Sequence, residues 1–247
     1  MDLGLSGRTA LVTGASSGLG LATARALAVE GVRVALVSRS AEKLAAAVAT
    51  VNGDPLTSTA DLSDGTSIDA MLTEVTGALG HVDILVANAG GPPPGNFSST
   101  DLDAYPAALQ LNMLSTIAMC KALVPDMQRR GWGRVVAITS AAVREPMPQL
   151  ILSNTARSGL TGFLKTTARE VAADGVTVNS VQPGIHATDR MGQLYDDLDG
   201  LAATIPSGTV GDPADFGRVV AFLCSEPARF ITGAALPVDG GAVRGLQ

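Results

Sequence analysis

Two hydrophobic periods take turns along this chain. Near-continuous apolar, β-branched runs at residues 9–13, 32–38, 82–88, 134–140 and 176–182 predict strands buried on both faces of a parallel sheet. Between them, apolar residues three and four apart predict helices over 19–30, 41–50, 68–79, 104–130, 153–174 and 213–225. Ser40, Thr66 and the Asp212-Pro213 pair are the expected helix starts. In the helix over 104–130, Pro106 reads as a first-turn residue and Pro125 as a kink. This alternation implies an α/β doubly wound sheet, whose ligands bind beyond the carboxyl ends of the strands.

Composition narrows the class. A chain of 247 residues, 46% of them hydrophobic, has enough apolar material for one full core, and no shift in composition marks a second domain. The longest apolar runs are interrupted by Asn112, Lys121 and Asp126, and Met1-Asp2-Leu3-Gly4 has no basic lead into an apolar stretch. Neither a membrane span nor a signal peptide is therefore expected, and the expected location is the cytoplasm. A net charge of -6 without a basic stripe argues against nucleic acid as a partner. Cys120 and Cys224 sit in apolar helical patterns without metal-ligand spacing, so they read as buried thiols and no metal site is expected.

The first chemical signal is Thr13-Gly14-Ala15-Ser16-Ser17-Gly18-Leu19-Gly20, between the first strand and the first helix. Glycines there allow a tight turn and let backbone amides approach a pyrophosphate, whose charge the helix amino end favours. At the end of the second strand a carboxylate would select NAD by accepting from its ribose hydroxyl. This chain has Ser38 and then Arg39, and a guanidinium pairs with a 2′-phosphate, which favours NADP over NAD.

The Thr-Gly-x-x-x-Gly-x-Gly spacing resembles that of the short-chain dehydrogenases/reductases, and the resemblance runs over essentially all of residues 1–247 as a single Rossmann-fold domain. It implies that Gly14, Ser16, Ser17, Gly18, Leu19 and Gly20 hold the phosphates and that Asp61-Leu62 meet the adenine. It assigns Asn88-Ala89-Gly90 to the turn after the fourth strand, with Ala87 replacing an Asn. Pro183, Gly184, His186 and Thr188 belong to the loop at the nicotinamide end, with His186 in an aliphatic position. Val238-Asp239-Gly240-Gly241 matches the C-terminal strand and turn. Asn112 matches the asparagine that holds a water in the family's proton relay. Within the family the chain is similar to the 3-oxoacyl carrier-protein reductase branch, and a homodimer or homotetramer is implied.

The departure lies in the catalytic centre. Ser140 matches the family serine, but thirteen residues later Ser153 and Arg157 stand where the resemblance expects Tyr and Lys. Spaced four apart, they share one helix face. An aliphatic hydroxyl is a far weaker acid than a phenol, and a guanidinium stays protonated, so neither replaces the family's proton donor. Two other groups are candidates. His186 can serve if its ring turns inward, or it merely carries the backbone with the ring turned away. Tyr195 lies in a substrate lid expected over 187–205 together with Met191, Leu194 and Leu198. Tyr105 and His81 read as structural, and Arg144, Glu145, Pro146 and Pro148 as lining the substrate mouth. The expected activity is NADP-dependent reduction of the carbonyl of a small-molecule substrate through Ser140, with water or His186 as acid. The alternatives are a catalytically silent nucleotide-binding homologue and an isomerase or lyase on the same fold.

Overall fold

The computed structural model describes residues 1–189, 191 and 197–245. In chain order the elements are β1 Thr9–Thr13, α1 Gly18–Val29, β2 Arg33–Ser38, α2 Ala41–Val48, β3 Leu56–Thr59, α3 Gly65–Leu79, β4 Ile84–Ala87 and α4 Ala104–Arg130. They continue with β5 Gly133–Ile138, α5 Ile151–Val171, β6 Val176–Pro183, α6 Leu198–Ala202, α7 Pro213–Leu223 and β7 Ala235–Val238. All strands pair in parallel in the order β3-β2-β1-β4-β5-β6-β7. The order reverses between β1 and β4, the place where such sheets bind ligands.

Strand alternation builds two cores. Leu11, Leu85, Val135, Ala137 and Val178 face α3, α4 and α5, while Ala10, Val12, Val136, Ile138 and Val181 face α1, α2 and α7. Ser40 starts α2 by accepting from the Lys43 amide, and Asp212 starts α7 by accepting from Ala214, with Pro213 in the first turn. The third helix differs from expectation: Asp64, not Thr66, caps it, accepting from the Thr66 amide. β3 escaped the periodicity because Leu-Thr-Ser-Thr holds a single apolar residue, and only Ser58 of its four residues is buried.

α4 runs through Pro125 and widens into a π-turn at Gln110–Leu114. Its stretch of mean hydropathy 1.4 is long and apolar enough to cross a membrane, which the sequence reading did not expect. It packs beside α3 and α5 on one face of the sheet, burying Met119, Cys120, Leu123, Val124 and Met127. The Cys120 and Cys224 thiols are fully buried, and desolvation pushes both up to about 12.

The amino edge of the sheet is closed by charge. Trp132 lies between two guanidinium groups, with Arg8 Cζ 3.8 Å and Arg134 Cζ 4.2 Å from its ring centre. Glu226 accepts from the indole N–H and lies 3.8 Å from Arg8 and 3.7 Å from Arg134. Nearby, buried Asp83 pairs with Arg130, Arg8 and His81. These groups sit opposite the carboxyl edge and leave it free for chemistry.

Candidate active site

The turn after β1 is fixed by the turn after β4. Thr13 Oγ1 donates to Asn88 O at 2.8 Å and accepts from Asn88 N at 2.9 Å, and Asn88 Nδ2 donates to Gly14 O at 3.2 Å. This closeness dictates the glycines. A Cβ on Gly20 would lie 2.3 Å from Gly14 O, and Gly14 and Gly18 take φ of +58° and +55°. Ser17 makes no side-chain cap, so the first amides of α1 lack the side-chain acceptor that Ser40, Asp64 and Asp212 give to α2, α3 and α7. An exposed, uncapped helix end beside a glycine turn fits a pyrophosphate, with Ser16, Ser17, Gly18 and Leu19 presenting their backbone to it.

Along the carboxyl edge from this turn, Ser38 is half-buried and Arg39 exposed. Arg39 makes no hydrogen bond or ion pair among the described residues, so its guanidinium is available to an anion. Asp61 accepts from the Ser63 amide at 2.9 Å and the Ser63 hydroxyl at 2.7 Å, and these bonds, with a smaller contribution from Arg39, hold its carboxyl below the usual range. Leu62 is buried in the core beside Ile68, so its side chain is closed to a base.

At the centre of the edge, the π-turn of α4 carries buried Asn112, whose Nδ2 donates to Gly90 O at 2.7 Å. Its Oδ1 is buried without a hydrogen-bond partner among the described residues. Ser140, just beyond β5, accepts from the Ala142 amide at 3.1 Å and stays partly exposed. Ser153 and Arg157 are each 7% exposed on the inward face of α5. Arg157 NH1 donates to Ile138 O at 2.9 Å and NH2 to Ala89 O at 3.3 Å. The guanidinium thus ties the end of β5 to the turn after β4. The Ser153 hydroxyl has no hydrogen bond among the described residues.

The residues expected at the nicotinamide end lie beyond Ser140, after β6. Gly184 N donates to Val238 O at 3.0 Å, and a side chain there would run into Asp239. Pro183 ends β6, and the Thr188 methyl approaches Gly18, so the loop folds back over the glycine turn. His186 corrects the inward-facing reading. Its ring packs edge-on against Phe216 at 5.0 Å, over the bare Cα of Gly211, and Nδ1 meets Gly184 O at 3.2 Å. Desolvation pulls its pKa below the ordinary value, which suits a neutral ring held in the core and not a proton donor facing substrate. Of the lid residues, Tyr195 and Leu194 lie outside the described residues. Tyr105, at the start of α4, and His81, paired with Asp83, take no part in the site.

A groove of about 670 Å³ opens beside the glycine turn, at Ser16, Ser17, Gly18 and Thr188, and continues between α1 and α7 to Arg25 and Arg218. Neither Ser140 nor Ser153 lines it, so it is no substrate pocket for them. The sequence reading overlooked Gln182. This buried polar residue, one before the end of β6, accepts from Arg144 Nε at 2.6 Å.

Comparison with known proteins agrees with this geometry. A family model described as Enoyl-(Acyl carrier protein) reductase matches residues 14–243. The chain is 34% identical over 239 residues to the 3-oxoacyl-[acyl-carrier-protein] reductase FabG of Haemophilus influenzae, covering 96% of this chain and 98% of that one. It is 33% identical over 249 residues to the dehydrogenase/reductase SDR family member 4 of Bos taurus, covering 98% and 89%. Among solved structures, L-sorbose reductase from Gluconobacter frateurii, complexed with NADPH and L-sorbose, superimposes with a TM-score of 0.94 at 30% identity, over all of both chains. YwfH, an NADPH dependent reductase involved in bacilysin biosynthesis, gives 0.93 at 26% identity over 98% of this chain and all of that one. With the family model matched over residues 14–243 and relatives 33–34% identical over nearly the whole of this chain, the chain belongs to the short-chain dehydrogenase/reductase family.

Proposed function

We propose that this protein is an NADPH-dependent reductase of a carbonyl on a small-molecule substrate, working without a phenolic acid. The observation that carries the reading is the uncapped α1 end behind a glycine turn too tight for side chains, on the same sheet edge as Ser140. Its relatives include a 3-oxoacyl carrier-protein reductase and a reductase complexed with NADPH.

The cofactor supplies the hydride. Ser140 donates its hydroxyl proton in a hydrogen bond to the substrate oxygen, orienting the carbonyl and stabilising the charge that develops there. Ser153 is shorter than a tyrosine by a whole ring, and its hydroxyl, without a hydrogen bond among the described residues, can orient a water that delivers the proton. Arg157 does not move a proton. Its permanent charge lies two residues from Ser140, through Ile138 O, and favours negative charge on the substrate oxygen. Asn112 holds the Gly90 carbonyl, and its Oδ1, without a partner among the described residues, is a ready acceptor for a relay water. Arg39, exposed and without an ion pair among the described residues, would pair with the 2′-phosphate of NADP.

Further parts of the reading rest on separate features. Two inert buried thiols suit a reducing compartment such as the cytoplasm. Exposed Leu114 on α4, Leu236 on β7 and Phe230 support a homodimer or homotetramer, which light scattering tests. The activity test combines a fluorescence titration with a panel of 3-oxoacyl thioesters, quinones and cyclic ketones. NADPH should bind more tightly than NADH, and turnover should collapse in Ser140→Ala; equal affinities overturn the cofactor assignment. The second reading, a silent nucleotide binder, is favoured by the commitment of the Arg157 guanidinium to two backbone carbonyls. It requires NADPH binding with no turnover across the panel, and predicts no ketone reduction in the Ser153→Tyr, Arg157→Lys double variant.

A further inference from the structure

The segment after Ser140 and the strand leading to the nicotinamide loop are joined by one side chain. Arg144 leaves the 3-10 turn Ala141–Val143, donates from Nε to the buried Gln182 Oε1 at 2.6 Å, and donates from NH2 to the Ala235 carbonyl. Gln182 stands one residue before Pro183-Gly184, and Ala235 belongs to β7, the edge strand whose Val238 carbonyl anchors the Gly184 amide. A planar guanidinium with both donors engaged fixes direction as well as distance, which an ammonium does not. Its acceptors are both neutral, and Arg144 makes no ion pair among the described residues, so geometry and not charge pairing selects this arrangement. The next residue extends the same contact: Glu145 Oε2 accepts from the Arg244 amide at 3.1 Å and holds the C-terminal segment against this rim.

From this bridge we infer that Arg144 is a positioning residue: with Gln182 it sets the separation between Ser140 and the loop that carries the nicotinamide end of the cofactor. The inference rests on the functional reading above only for naming what the loop holds. The bridge itself makes a claim about the protein alone. Loss of Arg144 should free Ala142, whose amide is held by Ser140 Oγ, and Gly184, held by Val238 O, while distant strands stay closed.

The experiment uses the full chain as wild type, Arg144→Ala, Arg144→Lys and Gln182→Leu. Amide hydrogen exchange without ligand should quicken about tenfold at Ala142 and Gly184 in all three variants, with Leu11 and Leu85 unchanged, as for loss of one hydrogen-bonded link. Should Arg144→Ala not fold, Arg144→Lys and Gln182→Leu carry the test, since each breaks the fork from one side. Unchanged exchange at both amides, or equal acceleration everywhere, overturns the inference. Calorimetry supplies the functional readout. Affinity for NADPH should fall about tenfold while that for adenosine 2′,5′-bisphosphate, which lacks the nicotinamide half, stays within about twofold. Equal weakening of both ligands refutes a local role. Failure of the wild type to bind NADPH at all refutes the cofactor reading instead, and hydrogen exchange then still decides the bridge.

Discussion

Gly20→Ala sets helix propensity against backbone proximity, and the distances decide the sign. Alanine is worth about 1 kcal/mol over glycine inside a helix. At Gly77 on α3 and Gly162 on α5 nothing lies within 4 Å of an added Cβ and both positions are exposed, so alanine should realise most of that gain. At Gly20 the same methyl would stand 2.3 Å from Gly14 O and 2.9 Å from its carbon. Ordinary contact begins near 3.4 Å, and the obstacle is backbone pinned by Asn88. The turn must move by about 1 Å, at the upper end of overpacking costs, about 3 kcal/mol. The net loss is about 2 kcal/mol, a fall in Tm of about 4–8 °C for a chain of this size. Gly77→Ala and Gly162→Ala should instead melt slightly above wild type. Scanning calorimetry on the three variants provides the test, with NADPH titration alongside, where Gly20→Ala should lose at least about tenfold in affinity through the displaced amides. A Gly20→Ala protein that melts at or above wild type would refute the crowding argument.

Three further outcomes follow from buried polar contacts. Arg157→Ala leaves the Ile138 and Ala89 carbonyls without their donor in a closed site and should cost about 2–4 kcal/mol by urea unfolding, with Arg157→Lys losing less; a cost below about 1 kcal/mol contradicts the bridge. His186 has a depressed pKa, so as pH falls the unfolded chain takes the proton first. Its contribution is complete above the ordinary value of about 6.5 and is lost as pH drops through it, so His186→Leu should flatten stability between about pH 7 and pH 5, and parallel profiles would disprove this. Glu226→Gln removes the one carboxylate within 4 Å of Arg134 among the described residues. It should cost about 1–2 kcal/mol, discounted for the partial exposure of Glu226, and salt should shrink the difference; a salt-independent loss would point to packing instead.

The sequence was most readable where one residue type admits one explanation. Thr9–Thr13 emerged as β1 with its expected bounds because five apolar or β-branched residues are buried on both faces. The glycine turn was legible because only glycine tolerates the approach of Asn88 and Gly14. Side-chain direction was not legible. His186 occupies the expected loop, but its ring turns toward Phe216 because Gly211, twenty-five residues on, leaves room for it. Likewise the four-residue spacing of Ser153 and Arg157 gave their shared face, yet the carbonyls that Arg157 holds come from β5 and the turn after β4. Arg144 was noticed in the sequence, whereas Gln182 is informative only once β6 lies beneath the loop after Ser140.

Because Trp132 is the chain's single tryptophan and is clasped at the amino edge, the protein carries an optical reporter remote from its chemistry. A dinucleotide arriving at the opposite edge makes no contact with the indole. Reduced nicotinamide, which absorbs in the indole emission band, would dim it only through space by energy transfer, and the oxidised form would leave it bright. A shift in emission colour would instead announce that the two guanidinium plates have parted.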